Sequence, residues 1–267
     1  MSTTVTFEKI LLTVDNGLAT LTLNDPAGLN VMGYQMAADL RAATDQLSSI
    51  EGLRCVLLNA AGKHFCGGGD LKAMQVGFDS DPKAFFERAL VDIHAGVLNL
   101  HYLPVPVITA VQGFAAGAGA NLALVGDLIL AADNASFFQA FIQVGLPVDS
   151  GGSWFLPRAI GDKRALYYLM TGTKMAATEA ATLGLVSRVV PAEELQTEAV
   201  TLAQQIAAGP TQAYAQLKRL VAGHHENDLA TQLEAELGAQ IACGKTGDFQ
   251  RGVNAFLAKQ AVEFEGQ

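Results

Sequence analysis

The sequence is short of basic residues, cysteine and long apolar runs, and each shortage removes a class of function. Lys and Arg number 17 against 26 Asp and Glu, a formal net charge of −9. Nucleic acid, whose phosphates call for a basic surface, is therefore not expected as a partner. The three cysteines, Cys55, Cys66 and Cys243, are too few and too scattered for a disulfide scaffold or a zinc site. A reducing, cytoplasmic setting is expected. The five histidines, His64, His94, His101, His224 and His225, show no metal-ligand spacing, so no metal is expected. No run reaches the ~18 consecutive apolar residues of a membrane span. The opening MSTTVTFEKI has no basic segment followed by an apolar one, so neither a membrane partner nor a signal peptide is expected. Internal repeats, low-complexity segments and long charge runs are also missing.

What is present is apolar. Half of the 267 residues are hydrophobic and only 16% are charged. The mean hydropathy is +0.27, high for a chain without a membrane span, which points to buried subunit contacts and hence an oligomer. Phe7 to Leu23 reads as a hairpin, with alternating apolar residues on either side of the Asp15-Asn16-Gly17 turn signal. A helix is expected over about 33–48, with Met36, Leu40, Ala43 and Leu47 at helical spacing. Strands are expected at 55–59, 105–111, 128–132 and 185–190, and a long helix at 82–100. Pro157 to Gly161 is expected to separate two helices, 152–156 and 163–170. From Glu193 onward only helices are expected, with a break at Gly209-Pro210. Strands alternating with helices, followed by helices alone, indicate an α/β core over 1–209 and a helical piece over 210–267.

The most informative stretch runs from Gly113 to Gly152. It opens with the small-residue run GFAAGAGA, continues into an apolar helical segment from Asn121, and ends in GLPVDSGG, where Asp149 stands between a proline and two glycines. An earlier run, Cys66 to Asp70, is also glycine-rich and also precedes a helical pattern. Two such turns can each present one backbone N–H, and two donors aimed at one oxygen form an oxyanion hole. Close helix–strand packing calls for the same glycines, so the spacing alone leaves both possibilities open. Asp149 is a candidate acid or base, or simply the N-cap of the next helix. Asn121 is a candidate site residue or a helix N-cap. Asp127 and Asp133 read as cap or loop residues. His64, Cys66 and Glu179 have no partner in sequence.

Taken together, several segments resemble the crotonase (enoyl-CoA hydratase/isomerase) superfamily over nearly the whole chain. They are Asn24-Asp25-Pro26 with Leu29-Asn30, His64 to Lys72, Val111 to Gly119, Gly145 to Gly152 with Leu156-Pro157-Arg158, Ala180 to Val186, and Ala255 to Lys259 with Phe264. The resemblance implies a ClpP/crotonase-like spiral of ββα units with a C-terminal helical region that assembles homotrimers, often hexamers as dimers of trimers. It places the oxyanion-hole N–H groups on Gly69 and Ala118. No permanently bound cofactor is implied; coenzyme A enters as part of an acyl-CoA substrate. Ala27, Leu29, Asp70, Leu71, Lys72, Asn121, Phe141 and Lys259 fall at substrate-binding positions, with Lys72 and Lys259 as candidate phosphate contacts and the backbone of Ala27 to Leu29 clasping the adenine end. The segment from Met74 to Phe86, with Phe78, Phe85 and Phe86, is expected to shape the acyl pocket.

The chain departs from the hydratases of that superfamily where they carry two glutamates: Asn121 and Phe141 stand at those positions. Neither side chain can exchange a proton usefully near neutral pH. The remaining acid is Asp149, and the run from Phe138 to Trp154 resembles the ring-1,2-epoxyphenylacetyl-CoA and 3-enoyl-CoA isomerases, whose catalytic aspartate falls there. The expected activity is a one-base acyl-CoA isomerase. The alternatives are a hydratase, a 4-chlorobenzoyl-CoA dehalogenase-like enzyme (which would carry tryptophan at Phe141), and a catalytically idle acyl-CoA-binding scaffold.

Overall fold

The computed structural model describes residues 2–78 and 81–267, apart from the Phe78 side chain. Its N-terminal part is a meander. Strand β1 (Thr3–Thr6) pairs antiparallel with β2 (Ile10–Asp15), and β2 with β3 (Leu18–Leu23). The β2–β3 turn places Asn16 and Gly17 at φ 48° and 79°, the pair of positive values that suits a tight hairpin and that Asn-Gly adopts most readily. β1 was not expected, because Thr-Thr-Val-Thr at a sheet edge has no apolar alternation to reveal it.

After helix α1 (Tyr34–Leu47) the sheet turns parallel. β4 (Cys55–Ala60) pairs with β3, β5 (Val107–Val111) with β4, β7 (Leu128–Ala132) with β5, and β10 (Arg188–Val190) with β7. β4 and β5 are almost continuously apolar because both faces are covered. Helix α8 (Leu195–Ala207) packs on one face of the sheet; α1 lies against β2 and against the long helix α3 (Pro82–Tyr102), which follows α2 (Leu71–Phe78).

A second layer forms at the ends of the central strands. β6 (Phe114–Ala116) pairs with β8 (Ser136–Phe138), and β8 with the two-residue β9 (Met175–Ala176). Single bridges extend this layer backward, Cys66 to Ala115 and Met32 to Gly69. Each successive turn of chain thus leaves the large sheet, pairs with the previous turn, and enters a helix. Residue 32 leads to α1, 66–69 to α2, and 114–116 to α4 (Ala118–Ala123). This winding brings the two glycine-rich runs side by side.

The run after Gly113 is not a plain turn, as the sequence reads, but a short strand followed by a helix that starts three residues before Asn121. Pro157 does not break its helix either: α5 spans Gly152–Ile160, and only Gly161 divides it from α6 (Asp162–Thr171). The carbonyl that Pro157 leaves without an N–H belongs to Ser153, an exposed residue that water can reach. Helix α7 (Ala177–Thr182) leads to β10. The chain closes with α9 (Thr211–Gly223), α10 (Leu229–Gly244) and α11 (Gly247–Ala258). Arg54 ties this end to the core through Gly209, Thr211 and Phe264. Lys218 does so through an ion pair with Asp127 at 2.9 Å. Among the described residues no helix is long and apolar enough to cross a membrane.

Candidate active site

The two glycine-rich runs are hydrogen-bonded to one another. The Cys66 N–H donates to the Phe114 carbonyl at 3.3 Å, and the Ala116 N–H to the Cys66 carbonyl at 3.0 Å. Gly68 lies so close that a Cβ there would come within 2.8 Å of the Ala116 oxygen, and its φ of 90° is one that glycine adopts without strain. Beneath them Cys66 is fully buried. Its thiol donates to the Asn30 carbonyl at 2.9 Å and accepts the Gly68 N–H at 3.4 Å. Burial pushes that thiol up to about 12, so it is a packing and hydrogen-bonding group and not a nucleophile. His64 stacks on Phe114, with ring centroids 3.9 Å apart, and among the described residues no hydrogen bond joins it to the Cys66 thiol.

This scaffold leaves two donors unused. The Gly69 N–H and the Ala118 N–H donate to no acceptor among the described residues. Ala118 opens α4, where the first N–H groups of a helix lack intrahelical partners. Both residues line one cavity of about 130 Å³, and Asp149 lines it with them.

Asp149 reaches the cavity through an unusual backbone. Ser150 is fully buried with φ 50°, and Gly151 follows at φ 83°. The Asp149 carbonyl accepts the Gly152 N–H at 2.9 Å and the Asn121 amide at 2.8 Å. Its carboxylate accepts the Ser150 hydroxyl at 2.7 Å. It does not cap the following helix, which begins after Gly151 without a side-chain cap. Burial holds the Asp149 carboxyl above the usual aspartate range, opposed by the Ser150 hydrogen bond and by His94. The other acid on the cavity wall, Asp70, is committed: it accepts the Lys72 and Ala73 N–H groups at 3.1 and 3.0 Å at the start of α2.

The rest of the wall is mostly apolar. Tyr34, Phe85, Phe86 and Phe141 contribute rings, with Met74, Leu90 and Leu146 between them. Phe85 packs on Tyr34 and Phe86 at centroid distances of 5.3 and 5.4 Å. The Phe78 side chain lies outside the described part. Of the positions assigned from sequence, Gly69, Asp70, Leu71, Ala118, Phe141 and Asp149 meet at this cavity, and Ala27, Leu29, Lys72 and Lys259 do not. Ala27 lies in the exposed 3₁₀ turn Pro26–Gly28 and Leu29 just after it, where the Leu29 carbonyl accepts the Gly67 N–H at 2.9 Å. Lys72 is exposed, and Lys259 terminates α11 in a left-handed conformation.

Asn121 requires a correction. It neither caps a helix nor reaches the cavity: its side chain is wholly buried, bonded to Asp149 on one side and to the Gln139 amide at 2.9 Å on the other. Asn30 and Gln139 are structural polar residues whose part the sequence did not disclose. Asn30 alone binds the carbonyls of Ala61, His64 and Phe65. Glu179 accepts the Tyr168 hydroxyl at 2.6 Å.

Comparison with known proteins agrees with this architecture. The enoyl-CoA hydratase/isomerase family model matches residues 13–267. The chain is 40% identical to the 1,2-epoxyphenylacetyl-CoA isomerase of Escherichia coli K12, over 97% of this chain and 99% of that one. It is 36% identical to a trans-2-decenoyl-acyl-carrier-protein isomerase of Streptococcus mutans, over 98% and 99%. Among solved structures, an enoyl-CoA hydratase from Polaromonas sp. JS666 superposes with a TM-score of 0.90 at 32% identity, covering 96% of this chain and 99% of that one. The sheet, the stacked turns and these matches lead to one conclusion: the chain has the crotonase fold and belongs to the enoyl-CoA hydratase/isomerase family.

Proposed function

We propose that the protein is a one-base acyl-CoA isomerase in which Asp149 moves the proton and the N–H groups of Gly69 and Ala118 hold the thioester oxygen. The observation that carries this is the make-up of the cavity wall: two unused backbone donors and one acid whose carboxylate is not committed to capping a helix. For a 3-enoyl thioester, the Asp149 carboxylate takes a proton from C2. The electron pair moves onto the thioester oxygen as a dienolate, stabilised by the two N–H groups. The same carboxyl group then returns the proton at C4, giving the 2-enoyl thioester with no net gain or loss of atoms. A carboxyl raised by burial is a stronger base than an exposed aspartate and suits this task.

The aromatic wall of Tyr34, Phe85, Phe86 and Phe141 suits a ring-bearing acyl group, so a ring epoxide of the kind named for the Escherichia coli relative belongs to the same proposal. Hydration fits less well, because it needs a base for water in addition to a proton donor. Asp70 is tied to two N–H groups, Asn121 is buried elsewhere and Phe141 has no proton to exchange. For the coenzyme, Lys72 and Lys259 remain the proposed phosphate contacts, with Lys259 reaching the site from a neighbouring subunit.

A homotrimer or hexamer built on residues 210–267 belongs to the proposal. α10 exposes Leu229, Leu233, Leu237 and Ile241 at four-residue spacing, a stripe that a lone chain would leave in water. A monomer in sedimentation would overturn that part.

The enzymatic test is an assay of wild type and Asp149→Asn on a 3-enoyl-CoA and on crotonyl-CoA. Isomerisation should dominate in the wild type and fall by ~10²–10⁴-fold in the variant. Strong hydration that survives the substitution would overturn the proposal.

A further inference from the structure

Asn121 and Gln139 do not line the cavity, yet together they make a buried line of hydrogen bonds that ends at the Asp149 loop. The Gln139 amide donates to the Asn121 side-chain oxygen at 2.9 Å, and the Asn121 amide donates to the Asp149 carbonyl at 2.8 Å. Relative exposures of 4% and 0% leave water no place to substitute for either bond. We infer that Asn121 and Gln139 are positioning residues that fix Asp149 against the Ala118 N–H. The inference rests on the isomerase proposal for the role of Asp149.

The placement of the two residues supports it. Asn121 lies on α4, one helical turn after Ala118, so a single short helix sets both the proposed oxyanion donor and the support of the base. Gln139 immediately precedes the 3₁₀ turn Ala140–Val144, which carries Phe141 onto the cavity wall. The line therefore ties three parts of the wall together. It also opposes a local cost. Ser150 holds a left-handed backbone that non-glycine residues rarely adopt, and such a conformation persists only where its surroundings hold it. The Asp149 carbonyl is the anchor at its start, and it takes both the Asn121 amide and the Gly152 N–H. Gly152 packs so tightly on Asn121 that a Cβ would come within 2.4 Å of its amide. The direction of the bonds is fixed as well: a carbonyl can only accept, so the Asn121 nitrogen faces Asp149 and its oxygen faces Gln139.

Asn121→Leu keeps the approximate volume and removes both bonds. Gln139→Met removes the brace and leaves the Asn121–Asp149 contact. Each is measured for kcat and KM on a 3-enoyl-CoA, alone and combined with Asp149→Asn. The expected result is a kcat loss of ~10²-fold for Asn121→Leu, the scale of an ångström-level misplacement, and a smaller loss for Gln139→Met. KM should be unchanged in both, and neither should lower the residual rate of Asp149→Asn further. A wild-type kcat in Asn121→Leu, or an equal further loss in the Asp149→Asn background, would overturn the inference. Should Asn121→Leu fail to fold, Gln139→Met carries the same comparison.

Hydrogen exchange separates this inference from the isomerase proposal. The Gly152 amide, bonded to the Asp149 carbonyl, should exchange faster in the strut variants while core strands keep their protection. Unchanged exchange at Gly152 would overturn the positioning role even if Asp149 is the base. Faster exchange together with an active Asp149→Asn would leave the strut standing and remove the isomerase assignment.

Discussion

Gly119→Ala adds one methyl group beside the proposed oxyanion hole, and the structure says where it goes. The new Cβ would lie 2.5 Å from the Cβ and Sγ of Cys66 and 3.0 Å from its carbonyl oxygen. Carbon atoms prefer separations of ~3.5–4.0 Å, so α4 or the Cys66 segment must shift by roughly 1 Å. Cys66 cannot move its thiol aside, because the group is wholly buried and bonded at both Asn30 and Gly68. Gly119 has no positive φ, so backbone strain adds nothing and the effect is steric. Overpacking of this kind costs ~1–3 kcal/mol, offset by up to ~1 kcal/mol from the better helix propensity of alanine. The net loss of about 0–3 kcal/mol corresponds to a fall in Tm of up to roughly 5 °C for a chain of 267 residues. Ala118 moves with the helix, and a misplaced donor should lower kcat by ~10–10²-fold. Calorimetry and steady-state kinetics on a 3-enoyl-CoA read the two effects. A Gly119→Ala protein with wild-type Tm and kcat would refute the idea that Cys66 and α4 together hold the Ala118 N–H in place.

The ionisation of Asp149 gives a linked pair of expectations. Its folded-state carboxyl is raised by burial, so over the pH range between the ordinary aspartate value and the raised one the folded protein holds a proton that the unfolded chain has released. Stability is then lost as pH rises through that range. Asp149→Asn should melt above wild type at neutral pH and level with it below the ordinary aspartate range, while the wild-type isomerisation rate rises with pH through the same range and the variant shows no such limb. Elsewhere, Lys218→Met leaves the half-buried Asp127 carboxylate with the Val107 N–H at 2.8 Å and no cation in hydrogen-bond contact among the described residues, and should cost about 2 kcal/mol after allowance for its partial exposure, read as a lower Tm. Lys83→Met breaks an ion pair that is exposed on both sides and should leave Tm unchanged.

Much of the scaffold was legible because local chemistry repeats there. Asp15-Asn16-Gly17 announces its hairpin through the two positive φ values it adopts, and Leu128–Ala132 is an apolar run whose limits as a strand match those expected. β6, β8 and β9 were not legible. They are two or three residues long and exist because consecutive turns of the spiral stack, which no window of sequence contains. The site divided in the same way. The small-residue turns and the stiff loop around Asp149 could be singled out by residue type. The support beneath them could not, since Asn121 bonds to a carbonyl 28 residues away and Asn30 to carbonyls more than 30 residues away. A buried amide reads in sequence like any cap or loop residue until its partner is located.

The fate of the C2 hydrogen tests the one-carboxylate proposal most directly. A 3-enoyl-CoA carrying deuterium at C2 is converted in a single turnover in ordinary water, and the 2-enoyl product is analysed by mass spectrometry and NMR. Transfer by one buried carboxyl group puts part of that deuterium at C4, and Asp149→Asn abolishes the transfer. A product with only solvent hydrogen at C4, formed equally well by Asp149→Asn, would contradict it.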